Sequence, residues 1–161
     1  MRSKDFTKGT LIQIPSKDGR YVYAQVIAEF NKYAPLLGLL EGVFDHSLTD
    51  LEFDNHSWKL KKYAYVNTTS SRAYPSVASW VVYRKGEPLL SGITEPKAVV
   101  HGTRTSGWTV VLPDGKCEFV DGQKYYMKDF EDRGYAGKTM WRSTVIEKYM
   151  FEDAPMEFPD T

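Results

Sequence analysis

The sequence predicts an α+β protein that is mostly β: an antiparallel sheet, which could curl into a barrel, followed by a C-terminal helix. Three observations carry that reading. Asp18-Gly19 and Asp114-Gly115 each separate two short apolar runs, and Asp-Gly is favoured where a hairpin turn needs positive φ. Aromatic residues make up 14% of the chain, which suits strands and contact surfaces. The clearest helical period lies near the end, between Met140 and Phe151.

The first strand is Gly9 to Pro15, where Leu11, Ile12 and Ile14 supply the apolar residues and Pro15 ends the ladder. Ser16 to Gly19 turns the chain, and Arg20 to Ile27 returns it through aromatic and β-branched residues. Tyr21 and Tyr23 share one face of that strand and are core candidates. Pro35 to Phe44 is apolar with Gly38 and Gly42 inside it. It reads as a central strand bulged at one of those glycines. Each glycine would cost a helix up to about 1 kcal/mol. Asp45 to Ser57 reads as a long loop or a short helical turn. Trp58 to Val66 is a strand, Asn67 to Ser71 a polar connection, and Val77 to Tyr83 another strand closed by Gly86-Glu87-Pro88. A brief strand follows at Lys97 to Val100. Trp108 to Leu112 and Cys117 to Val120 then form the second hairpin, and Tyr125 to Phe130 fits no single element. Trp141, Val145 and Tyr149, at i, i+4 and i+8, mark one face of the final helix. The tail Glu152 to Thr161 carries two prolines and four acids and is expected extended or frayed.

A chain of 161 residues is expected to form one domain with a core large enough to need no staple. Its single cysteine excludes an intramolecular disulfide and a multi-thiolate zinc site. Met1-Arg2-Ser3-Lys4-Asp5 is charged and opens no signal-peptide core. The longest apolar stretch, Ala34 to Leu40, falls far short of the ~20 residues of a membrane span. The expectation is a cytoplasmic protein with no membrane partner. Bases and acids balance at 21 each, which lowers the case for generic nucleic-acid binding.

Cys117 could act as a nucleophile with His46, His56 or His101 as base, but a lone strand cysteine reads first as a small buried apolar group. Asp50, Glu52 and Asp54 alternate, so on a strand they would share a face with His56, beside Asp45 and His46. Such a set could bind a divalent cation; the reading adopted is a solvated acidic loop, with no metal, no cofactor and no catalytic residue. Phosphate-cradling glycine motifs are absent. Lys59, Lys61 and Lys62 beside Tyr63 would suit a small barrel binding nucleic acid or peptide, and more simply form the wet face of a strand. The acids are segregated. Glu41, Asp45, Asp50, Glu52 and Asp54 form a block without Lys or Arg, Asp129 to Asp132 a second, and the tail a third. Acidic patches beside aromatics suit a protein that covers a basic partner.

Gly9-Thr10-Leu11-Ile12-Gln13-Ile14-Pro15, followed by Asp18-Gly19-Arg20-Tyr21-Val22-Tyr23-Ala24-Gln25-Val26-Ile27, resembles the opening signature of the immunity protein 26 family of bacterial polymorphic toxin systems. Tyr63-Ala64-Tyr65-Val66 and then Ser79-Trp80-Val81-Val82 resemble the family's second patch, with Ala78 where a glycine is expected. The resemblance spans about residues 7–85. It implies a non-enzymatic cytoplasmic protein that binds and neutralises a cognate toxin. No catalytic residue transfers with it. The contact candidates are then Arg20, at a hairpin start, and the acids Glu41, Asp45, Asp50, Glu52 and Asp54. Oligomeric state is left open.

Overall fold

Both Asp-Gly hairpins form. In the computed structural model, which describes residues 1–29, 34–68, 77, 79–158 and 160–161, β1 (Leu11–Pro15) runs antiparallel to β2 (Tyr21–Ala28). The hinge residue Gly19 adopts φ +85°, a conformation that costs a residue with a Cβ. β3 (Leu36–Leu40) follows, then the short helix α1 (Asp50–Asn55), β4 (Leu60–Val66) and β5 (Val81–Arg84). Together with β10 (Met140–Trp141), these strands make one sheet in the order β10-β4-β3-β2-β1-β5. β6 (Val99–Thr103), β7 (Gly107–Val111), β8 (Cys117–Val120) and β9 (Ala136–Gly137) make a second, in the order β8-β7-β6-β9. The helix α2 (Met127–Asp132) precedes β9, and β10 (Met140–Trp141) and α3 (Ser143–Glu152) end the regular structure.

The fold is therefore α+β and mostly antiparallel, with a C-terminal helix. Among the described residues neither sheet closes into a barrel, because β10 and β5 remain edges of the first and β8 and β9 of the second. The two parallel pairings, β10 with β4 and β9 with β6, belong to one short segment that steps from the second sheet to the first.

The first sheet is covered on both faces, and β2 is buried at every position from Val22 to Ile27. One face sets Val22, Ala24, Val26, Leu37 and Leu39 under Ile146 and Met150 of α3. The other sets Tyr23, Ile27, Leu36 and Leu40 under Phe53 of α1 and Trp58. Gln25 is the polar exception inside β2. Its amide donates to the Gly9 and Pro88 carbonyls (3.3 and 2.9 Å) and accepts from the Leu90 N–H (3.0 Å), which ties the loop after β5 to the sheet. In the second sheet Val100, Trp108 and Val110 pack against Phe130 of α2.

Several expectations are corrected. Gly38 carries no bulge: the register shifts fall beside Val26 and Leu40, and the missing side chain at Gly38 makes room for Ile27 and Leu60. The helix α3 starts at Ser143, so Trp141 lies on β10 instead. Its buried face is Ser143, Ile146 and Met150, with Val145 and Tyr149 as flanks. From the same helix Glu147 accepts from the Trp80 indole at 2.8 Å. The strand expected from Val77 begins at Val81, and Ala78 lies outside the described residues, as does part of the Asn67 to Ser71 connection. The tail is extended but not frayed. Met156 is buried in the first core, Phe158 stacks on Trp141 at 4.9 Å, and the Thr161 carbonyl accepts from the Met127 N–H. Burial of Met156 and the contacts with β10 and α2 supply what a loose tail lacks.

Candidate functional site

The short helical turn that was one of the two forms expected for Asp45 to Ser57 is α1, so Asp50, Glu52 and Asp54 do not share a strand face. Thr49 caps α1 by accepting from the Glu52 N–H (3.2 Å), and the Glu52 carboxylate accepts from the Thr49 N–H (3.2 Å). That Thr-x-x-Glu capping box was legible in the sequence and is the signal that would have placed the helix. Helical geometry sends Glu52 to a different side from Asp50 and Asp54, which stand one turn apart. Among the described residues no group of three or more His, Cys, Asp or Glu side chains is arranged to hold a metal ion.

The carboxylates are instead spent on an arginine and a histidine. The Arg84 guanidinium donates to Asp50 and Asp54 (3.2 and 2.8 Å) and lies over the Phe53 ring at 5.0 Å. His46 sits between Asp45 and Glu52, its ring nitrogens 2.7 and 2.6 Å from them. Hydrogen bonding to Asp45 and then to Glu52 raises the imidazole pKa above its usual 6.5. The same contacts hold both carboxylates below their usual range.

A helix this short owes its position to what lies beneath it. Phe53 packs edge-on to Tyr23 (5.5 Å) and against Trp58 (4.6 Å) and Tyr83 (5.0 Å). The Tyr23 hydroxyl donates to Gln13 and accepts from the Leu48 N–H, both at 2.9 Å, pinning the chain just before the cap. His56 lies tilted against the Trp58 ring at 4.3 Å. This aromatic platform presents Leu51 outwards at 70% exposure, between Asp50 and Glu52. Leu51 was missed in the sequence because its neighbours are acids; the helical phase opposite buried Phe53 is what singles it out.

The six contact candidates divide. Asp45, Asp50, Glu52 and Asp54 gather at α1. Glu41 follows β3, where its charge reaches Tyr149, and Arg20 pairs with Asp18 (2.9 Å) and lies over Phe151 at 5.4 Å, both of these aromatics on α3. The basic stretch is not a free patch. Lys61 meets Asp153 (2.6 Å) and Lys62 meets Glu131 (2.7 Å), both lysines being mostly buried. Lys61, Lys62 and Glu131 line a cleft of about 1110 Å³ among β4, α2 and the tail, which Met156 and Phe158 also line. Burial and the acids Glu131, Asp153 and Glu41 push the Tyr149 phenol there up to about 12.

A hydrolytic constellation does not assemble from the residues weighed for it. His46 and His56 flank α1 on the first sheet, whereas Cys117 stands on β8 of the second, and β7 separates it from His101 on β6. Cys117 is exposed, not buried as expected, because β8 is an outer strand whose outward residues nothing covers among the described residues.

The chain matches no family model, no curated protein and no solved structure.

The His46 clasp yields a pH expectation. An imidazole with raised pKa adds stability that is complete below the usual 6.5 and fades as pH climbs through the raised value. The lowered carboxylates add stability above their usual range that fades as pH falls through their lowered values. The clasp is thus tightest in mildly acidic solution. An NMR titration should place the His46 midpoint above 6.5, and Asp45→Asn with Glu52→Gln should return it to the ordinary value. A wild-type midpoint at or below 6.5 would contradict the pairing.

Proposed function

We propose that this chain is an immunity-type protein of the bacterial cytoplasm that neutralises a cognate toxin by covering it, without turnover. The resemblance over residues 7–85 suggests the class. The structural observation that supports it is exposed Leu51 rimmed by Asp45, Asp50, Glu52 and Asp54 on a rigid aromatic base. An apolar anchor inside a charged rim is how protein interfaces divide labour: the anchor supplies affinity and the rim supplies steering and selection. Four acids gathered at α1, Asp45, Asp50, Glu52 and Asp54, answered by Arg84 and the His46 imidazole, leave this end acidic, so the favoured toxin face is basic, as in a nuclease that grips nucleic acid.

The rival reading, a module binding nucleic acid or peptide through Lys59, Lys61 and Lys62, loses support because Lys61 and Lys62 are already neutralised by Asp153 and Glu131. Co-expression with the toxin encoded beside the gene should restore growth and give a stoichiometric complex on co-purification. Continued killing in cells that hold abundant folded protein would sink the proposal.

A further inference from the structure

We propose that β8 is the seam of a symmetric homodimer, in which the four-stranded sheets of two copies join edge to edge. β8 pairs with β7 on one side only, and among the described residues its other side is open. The Leu112 N–H donates to the Lys116 carbonyl (2.9 Å) across the turn. Antiparallel alternation then sends the backbone groups of Glu118 inwards to β7 and those of Cys117 and Phe119 outwards. This edge lacks two of the usual defences. No proline interrupts Cys117–Val120 and no bulge breaks its register with β7. Phe119, a large aromatic, stands 83% exposed on it.

Charge decides both the occupant and the register. Outward-facing Cys117 and Phe119 allow three two-fold pairings of the strand with itself. Centring on Glu118 sets that carboxylate against its own copy, which repels. Centring on Phe119 leaves Lys116 and Glu118 opposite uncharged residues. Centring on Cys117 sets Lys116 of each copy opposite Glu118 of the other, twice, so the strand is complementary to itself. The same register lays Phe119 across Gly115, where a Cβ would meet nothing within 4 Å and an aromatic ring has room. It also sets the two Cys117 residues directly opposite. A hydrogen-bonded antiparallel pair has Cα atoms about 5.5 Å apart, within the span of a disulfide. A two-fold contact of this kind closes after two copies and makes no fibre. It leaves α1, on the other sheet, free in both.

Sedimentation equilibrium of the reduced protein should give twice 18.4 kDa. Diamide should cross-link it through Cys117: two thiols give up their hydrogens to the azo bond, leaving a disulfide and the hydrazine. Lys116→Glu or Glu118→Lys alone should return the mass to that of the monomer and suppress cross-linking. The double exchange, Lys116→Glu with Glu118→Lys, should restore both, which also shows that the single variants do not act by unfolding. A monomeric wild type, a dimer indifferent to the single reversals, or a double exchange that fails to recover would each overturn the seam.

Discussion

Tyr23→Ala is expected to destabilise the protein by about 3–5 kcal/mol, the range for emptying a core aromatic site, measured by urea denaturation. Tyr23 is fully buried, and its ring lies 5.5–5.7 Å from those of Phe44, Phe53, Trp58 and Tyr83. Four neighbours held by one ring cannot all collapse into the space it leaves. Its hydroxyl adds a second, separable contribution. Tyr23→Phe keeps the packing and strands the Leu48 N–H, which the phenol alone accepts from at that buried point. About 1–3 kcal/mol is expected for that change. Because Leu48 precedes the cap of α1, hydrogen exchange in α1 should quicken in both variants before the strands are affected. A Tyr23→Ala loss no larger than that of Tyr23→Phe would mean that the aromatic platform is not what positions α1.

Leu51→Arg is expected to weaken toxin binding about 100-fold or more, the scale of a central anchor, with stability unchanged within about 0.5 kcal/mol. Leu51 is exposed and belongs to none of the three cores, so the folded chain has little stake in it. If the proposed function holds, the arginine would bring a cation to a surface that has to meet a basic partner. Calorimetric titration with the toxin domain reads the affinity, and thermal unfolding confirms that the fold survives. Neutralising a rim residue such as Asp50 should act more gently, mainly on association rate and more so at low salt. An affinity indifferent to Leu51→Arg would move the interface away from α1.

The elements read correctly are those whose signal is local. The two hairpins need only an Asp-Gly turn between apolar runs, and both lie where the dipeptides stand, with Gly19 and Gly115 at φ +85°. The errors sit where a neighbour overrides local preference. Trp141 continues the helical period but is drawn into a parallel bridge with Val66. Cys117 has the composition of a buried strand residue but lies on an edge, and edges are a property of topology.

Composition and turn chemistry were enough to establish an α+β chain of antiparallel hairpins with a terminal helix, together with a neutral total charge. They also marked the acidic block as unusual. What that block could do was decided only on folding. Lys61 meets Asp153 across 92 positions, Lys62 meets Glu131 across 69, and Arg84 meets Asp50 and Asp54 across 34 and 30. Blocks that look segregated along the chain are therefore largely neutralised in space. Charge acts through distance in three dimensions, and separation along the chain says nothing of it. The fold left the acids of α1 only partly compensated, around one exposed leucine.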